Sequence, residues 1–274
     1  RDTVYVADVS QQRVVALSPD GLPLREWGQR GVQGRRPGQF YNPYGVAADR
    51  HGNLYVADTG NSRVQVLSPA GTVLAVWKLS NRLAWFLGHV SPYGVAIGSC
   101  GMVYVTVPYR GQVRRFSPAG ERLASWGKLG RGPGEFLGPN GVALDTQGNV
   151  YVADRANHRI QKLSPTGQPL AQWGTFGHNP GEFYYPEGVA VDNEGHVYVA
   201  DAGNDRVQEF SPAGDLAAVW GAMESTPPGA RPPAMRPPGV FRSPMGLAID
   251  SEGSVYVADW SNHRIQKLAR PGPP

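Results

Sequence analysis

Cysteine is almost missing from this 274-residue chain. Cys100 is the single thiol, which excludes an internal disulfide and any site built from several cysteines, and does not fix the compartment. Long apolar runs are missing as well. No stretch approaches the roughly 18 consecutive apolar residues of a membrane helix, so no membrane insertion is expected. Helical periodicity is just as scarce, because no segment keeps a 3.6-residue apolar repeat long enough to make a good helix. The formal charge is only +4, so an anionic partner must be argued from where the charges lie. No glycine-rich phosphate loop, nucleophile elbow or His-Glu metal motif appears.

What the chain has in quantity is glycine and proline, 36 and 25 residues, too many for a helical protein and too evenly spread for a disordered one. It also repeats itself. VYVADRANHRIQKL at 150–163 returns as VYVADWSNHRIQKL at 255–268. The strand-like core of that phrase occurs at 4–8, 54–58, 103–107, 150–154, 197–201 and 255–259. Around each copy lie four short segments, clearest at 141–174, rich in Val, Ile, Tyr or Trp and ended by Gly, Pro, Asn or Asp. That is strand-and-turn grammar.

Four short antiparallel strands repeated about every fifty residues mark a β-propeller blade. The expected fold is all-β, a six-bladed propeller of four-stranded antiparallel blades near 1–28, 45–77, 94–127, 141–174, 188–221 and 246–268. A Pro-rich insert at 222–244 and a tail at 269–274 complete the chain. The first blade lacks its inner Gly-Val-Ala strand and the last its outer Trp-Gly strand, so the chain is expected to begin inside a closing blade of a longer protein. Trp27, Trp77, Trp126, Trp173 and Trp220 end the outer strands and are expected to fill the gaps between blades.

The phrases D-x-x-N-x-R-[IV]-Q, S-P-x-G and P-G-[EQ]-F-x-x-P-x-G-V-A recur in series. With them, and with Asn-His-Arg-Ile at 157–160 and 262–265, the sequence resembles the NHL-repeat propellers over essentially its whole length. The resemblance implies the fold and leaves function open, since such propellers serve tripartite-motif ubiquitin ligases, bacterial sensor-kinase ectodomains and a peptide-amidating lyase. In that lyase the residue between Pro and Gly before the inner strand supplies zinc-binding histidines. Here that slot holds Tyr44, Tyr93, Asn140, Glu187 and Met245, so no metal, no cofactor and no catalytic residue is expected by that route. Tyr44, Tyr93, Asn140 and Glu187 could still form a polar cup at the mouth of the axial channel.

The recurring acid and base, Asp8/Arg13, Asp58/Arg63, Asp154/Arg159, Asp201/Arg206 and Asp259/Arg264, read as ties across a hairpin turn, because a catalytic site needs one constellation and not five around a ring. The slot before each Arg varies, as Gln12, Ser62, Gly111, His158, Asp205 and His263, and is expected to face solvent or a partner. The third repeat departs from the pattern with Val107 and Gln112 in place of Asp and Arg, and with Gly98 and His89.

Linkers between blades and the D-x-x-N-x-R hairpins share one face. Arg35, Arg36, Arg110, Arg131, Arg155 and Arg236 lie there among Tyr41, Trp85, Phe86, Tyr109 and Trp260, whereas the opposite turns are neutral to acidic. With His158 and His263 these residues are the binding candidates. Arginine beside aromatics suits protein hot spots and single-stranded RNA alike. The cations are sparse for an RNA binder, so a non-catalytic scaffold that recognises a protein partner is ranked first. RNA comes second, and a lyase or hydrolase at the channel mouth third.

Overall fold

Each VYVAD core is apolar on both faces, which suits a strand covered on both sides. Val150–Asp154 is buried throughout, while the outer strand of the same blade, Pro169–Trp173, is largely exposed. The computed structural model describes residues 2–79, 90–221 and 237–269. Within them the strands form six antiparallel sheets, four with four strands and two with three. In the fourth blade the order from axis to rim is Pro139–Leu144, Val150–Asp154, Arg159–Leu163 and Pro169–Trp173. The first blade consists of Val4–Asp8, Arg13–Leu17 and Pro23–Gly28, without an inner strand. The last consists of Pro244–Ile249, Val255–Asp259 and Arg264–Leu268, without an outer one.

The inner strands that begin at Pro43, Pro139, Pro186 and Pro244 of P-x-G take a register shift just after that proline, as between Pro139 and Val142, whereas the inner strand of the third blade is the shorter Val95–Ile97. Their glycines permit close approach around the axis. A Cβ on Gly45 would stand 2.4 Å from the Tyr93 carbonyl oxygen, and one on Gly94 2.4 Å from that of Asn140. With Gly141 on Glu187 and Gly188 on Met245, four inner strands thus dock on the slot residue of the next blade, which fixes that residue on the channel wall.

Further out, each outer-strand Trp packs on the Tyr of its own blade, as in Tyr55 and Trp77 with ring centroids 5.6 Å apart. Trp77 also lies against Gly120 of the following blade, where a Cβ would come within 2.2 Å of the indole nitrogen. The phenylalanines of the linkers, Phe40, Phe136, Phe183 and Phe241, are fully buried plugs.

The Asp-Arg couples hold more than their own hairpin. Asp58 is fully buried, and its Oδ2 accepts from Arg63 Nε at 2.6 Å, Asn61 Nδ2 at 2.9 Å and Gln65 Nε2 at 3.0 Å. Its Oδ1 accepts the backbone N–H of Tyr41 in the incoming linker. Arg63 then donates to the carbonyls of Arg35, Arg36 and Gln39 in that linker. The same fan recurs at Asp154, Asp201 and Asp259, with Arg Nε at 2.8, 2.7 and 2.8 Å. A buried carboxylate is tolerated because donors satisfy its lone pairs.

Two blades depart from the pattern. In the first blade the Asp8 Oδ1 accepts from Ser10 Oγ and the Gln11 N–H, and Arg13 reaches Glu26. In the third blade Arg114 takes the place of the Gln. It donates to the Leu79 carbonyl at 3.0 Å and to Gln112 Oε1. Burial and the neighbouring Arg122 and Arg110 lower its pKa to about 10. His89, part of the same departure, lies outside the described residues.

Asp58→Ala is expected to destabilise the protein by about 3–5 kcal/mol, the range for stranding one member of a buried pair. Asp8→Ala is expected to cost at most about 1 kcal/mol, as for solvent-screened pairs. Urea denaturation of the two variants checks that order.

Candidate functional site

Linkers and hairpin turns meet on one face. The N–H of Gly60, in the turn Thr59–Asn61, donates to the Tyr41 carbonyl, and Asn61 Nδ2 donates to that of Gly34. The candidates are spread over this face. Tyr109, Trp260, Arg35, Arg36, Arg131 and His263 are exposed, whereas Tyr41 and Arg110 are half-buried. Trp85, Phe86 and Arg236 lie outside the described residues.

The variable slot before each Arg adopts the left-handed conformation, with φ of 57° at Gln12, 55° at His158, 54° at Asp205 and 53° at His263. Its side chain reaches across to the next blade. Gln12 Oε1 accepts the N–H of Asn42, His158 Nδ1 that of Tyr185, and Asp205 Oδ1 that of Ser243. Those three residues are themselves left-handed, at 49°, 52° and 49°. His158 is thus occupied as an interblade latch. His263 makes no such bond to the described residues.

Beside that latch a cluster of rings has assembled. His158 packs on Phe176, Tyr184 and Tyr185 with centroids 5.0, 5.9 and 4.7 Å away. Phe176 also meets His178 and Tyr184, and the Arg155 guanidinium lies 4.4 Å over Tyr185. Phe176 is 61% exposed although it belongs to this stack. Sequence reasoning passed over Phe176 and His178. Alignment of the linkers GKLGRGPGEF and GTFGHNPGEF sets Leu129 against Phe176 and Arg131 against His178, which would have shown the local gain of rings.

The five P-x-G residues do converge. Tyr44, Tyr93, Asn140, Glu187 and Met245 all line one axial cavity of about 240 Å³. Tyr44 and Tyr93 stack at 4.3 Å. Glu187 is buried, and its Oε2 accepts from Asn140 Nδ2 while its Oε1 accepts from Arg155 Nε, each at 2.5 Å. Burial, then the Glu187 charge, raises the pKa of both tyrosines, so they stay protonated. Thr106, an alanine in the other blades, donates to the Asn140 carbonyl and accepts the Gly94 N–H, which pins this part of the wall. Trp260 lines the cavity as well, so it belongs to the mouth and to the linker face together.

Among the described residues one group could share a cation, Asp192, Glu194 and His196. It lies at the other end of the strands, in an inner turn. There Asp192 Oδ1 accepts the N–H groups of Glu194 and His196, just as Asp145 Oδ1 accepts those of Gln147 and Asn149. Turn geometry accounts for it.

Residues 40–67, 136–163, 183–210 and 241–268 match the NHL repeat family, the stretches from plug phenylalanine to third strand. No curated protein matches the sequence. Among solved structures the chain is similar to virginiamycin B lyase from Staphylococcus aureus, with 13% identity, a TM-score of 0.67, and 98% of this chain and 77% of that one covered. It is similar to a gluconolactonase from Xanthomonas campestris, at 15% identity and a TM-score of 0.65 over 94% and 80% of the two chains. A nidogen/laminin complex matches at 16% identity and a TM-score of 0.65 over 96% and 87%. At these identities the likeness is one of fold.

His158 must be neutral to accept from Tyr185. Burial and the adjacent Arg155 hold its pKa below the ordinary imidazole value. The latch therefore contributes fully above about pH 6.5 and is lost as pH falls through the lowered folded-state pKa. The protection of the Tyr185 amide against hydrogen exchange, relative to an unstructured amide at the same pH, is expected to fall as pH drops through that lowered pKa. His158→Gln, which copies Gln12, should remove that dependence.

Proposed function

We propose that this NHL-repeat β-propeller is a non-catalytic recognition domain that binds a protein partner through its linker-bearing face. The observation that carries this reading is Phe176, which is 61% exposed on a stack of His158, Tyr184 and Tyr185 with Arg155 alongside. Exposed, preordered aromatics beside an arginine are what interface hot spots consist of. Tyr109 at 72% and Trp260 at 58% exposure extend the apolar surface around the mouth. The similar propeller fold in a nidogen/laminin complex supports the reading by analogy of fold.

Single-stranded RNA is the second reading, favoured by the exposed cations Arg35, Arg36 and Arg131 on the same face. Two of the similar folds are named as enzymes, a lyase and a lactonase. Against that reading here, both oxygens of Glu187, the carboxylate in the mouth, are engaged by Asn140 and Arg155, leaving it poorly placed as a base.

Partner capture by the intact protein, with cross-links mapped by mass spectrometry, separates these readings. Protein recognition predicts cross-links on the linker face, about a tenfold or greater loss of capture in Phe176→Ala, and weak salt dependence. RNA binding predicts instead a steep salt dependence and loss on changing Arg35, Arg36 and Arg131 to Glu. Unchanged capture by Phe176→Ala would reject the first reading.

A further inference from the structure

We infer that the mouth of the axial channel is a binding site for a small, neutral, hydroxylated ring, of monosaccharide size and class. The cavity is distinct from the ring stack that carries the proposed protein contact, and the inference holds with or without that contact.

The wall is constructed and not a residual gap. Four inner glycines, Gly45, Gly94, Gly141 and Gly188, dock on the carbonyls of Tyr93, Asn140, Glu187 and Met245. Those slot residues are thereby fixed around the axis. The repeat demands proline before the slot and glycine after it but places no demand on the slot itself, which holds a different side chain in nearly every blade. Two of them, Asn140 and Glu187, are polar and more than nine-tenths buried. Polar side chains at such burial are usually satisfied.

Here one acceptor has no partner among the described residues. Glu187 Oε2 can accept only from the amide nitrogen of Asn140, which settles the orientation of that amide. Asn140 Oδ1 is left as an acceptor with no partner among the described residues. The hydroxyls of Tyr44 and Tyr93 likewise have no partner among the described residues, and both remain protonated donors. The cavity thus offers acceptors and donors together, and a ligand must return both. A hydroxyl group does so with one atom.

Charge selects among such ligands. The Glu187 carboxylate is balanced by Arg155 through a direct ion pair, so the mouth is neutral as a unit. A cationic ligand would face Arg155 at the rim, and an anionic one the Glu187 carboxylate itself. A neutral ligand meets neither repulsion. Shape selects further. The paired faces of Tyr44 and Tyr93 stand with an apolar wall that includes Val4, Val6, Met245, Leu247 and Trp260. A ring with apolar C–H faces and a polar edge matches both surfaces, and about 240 Å³ admits one such ring.

The test is calorimetric titration of the intact protein with neutral hexoses, and with glucuronate and glucosamine as rings of similar size bearing negative and positive charge. Saturable binding of at least one neutral hexose is expected, with both charged rings weaker by about tenfold or more. Tyr93→Phe keeps the stacked ring and removes only the hydroxyl, and Asn140→Ala removes the free acceptor together with the amide donor to Glu187. Tyr93→Phe should weaken hexose binding by about three- to tenfold, the value of one neutral hydrogen bond, and Asn140→Ala by at least as much. Absence of saturable binding by every neutral hexose overturns the inference. So does a charged ring that binds as well as the neutral one, or hexose affinity unchanged in Tyr93→Phe. Protein capture through Phe176 is read separately, so failure here leaves that reading standing and its failure leaves this one.

Discussion

The buried aspartate that closes the second strand is the constraint on which the rest depends. A carboxylate at zero exposure persists only when several donors meet it, and Asp58, Asp154, Asp201 and Asp259 each collect them from both sides of a junction. Asn, Arg and Gln come from the hairpin, and a backbone N–H comes from the linker arriving from the preceding blade. The Arg then turns outward and grips two or three linker carbonyls. One acid therefore fixes a hairpin, a linker and the angle between them. The same interaction repeated around the axis defines the face on which all linkers and hairpin turns lie.

That constraint also decides where function can reside. The residues that resemble catalytic machinery, Asp, Asn, His and Arg within one short turn, are consumed by construction. Three positions escape it. The slot before each Arg needs only a left-handed backbone, and Gln12, His158 and Asp205 use that freedom to reach the next blade. The third residue of the linker, Leu129 in one and Phe176 in another, bridges back to the plug position and projects from the surface. The P-x-G slot needs only a carbonyl on which the preceding glycine can dock. Side-chain diversity gathers at these positions because the fold asks nothing of them.

The fold was legible because a propeller repeats its sentence. VYVAD, D-x-x-N-x-R and W-G at regular spacing gave the blades, and the unpaired first and last segments gave the two three-stranded sheets. The convergence of Tyr44, Tyr93, Asn140, Glu187 and Met245 was legible for the same reason, since equivalent positions in a ring must meet at its axis. What could not be read was the outward reach of each side chain. Asp-Arg pairing was expected within the hairpin, but the grip on linker carbonyls connects residues 24 to 28 positions apart, a distance that no local pattern encodes. His158 and Arg155 were read as surface residues, yet the first latches Tyr185 and the second binds Glu187. The compensation by Arg114 in the third blade was hidden too, because it sits two residues beyond the missing Arg and mimics nothing in the consensus.

Arg155 shows how the linker face and the channel mouth are joined. Its Nε fixes the carboxylate that makes the mouth electrically neutral, while its guanidinium plane rests on Tyr185 at the inner margin of the ring stack. A lysine could not serve both ends, because an ammonium is a point charge without a planar face. An Arg in this position leaves the face basic at its outer linkers and neutral at its centre. Exposed Arg35, Arg36 and Arg131 are thereby separated in space from the neutral, aromatic centre. Net charge alone, small as it is, conceals both.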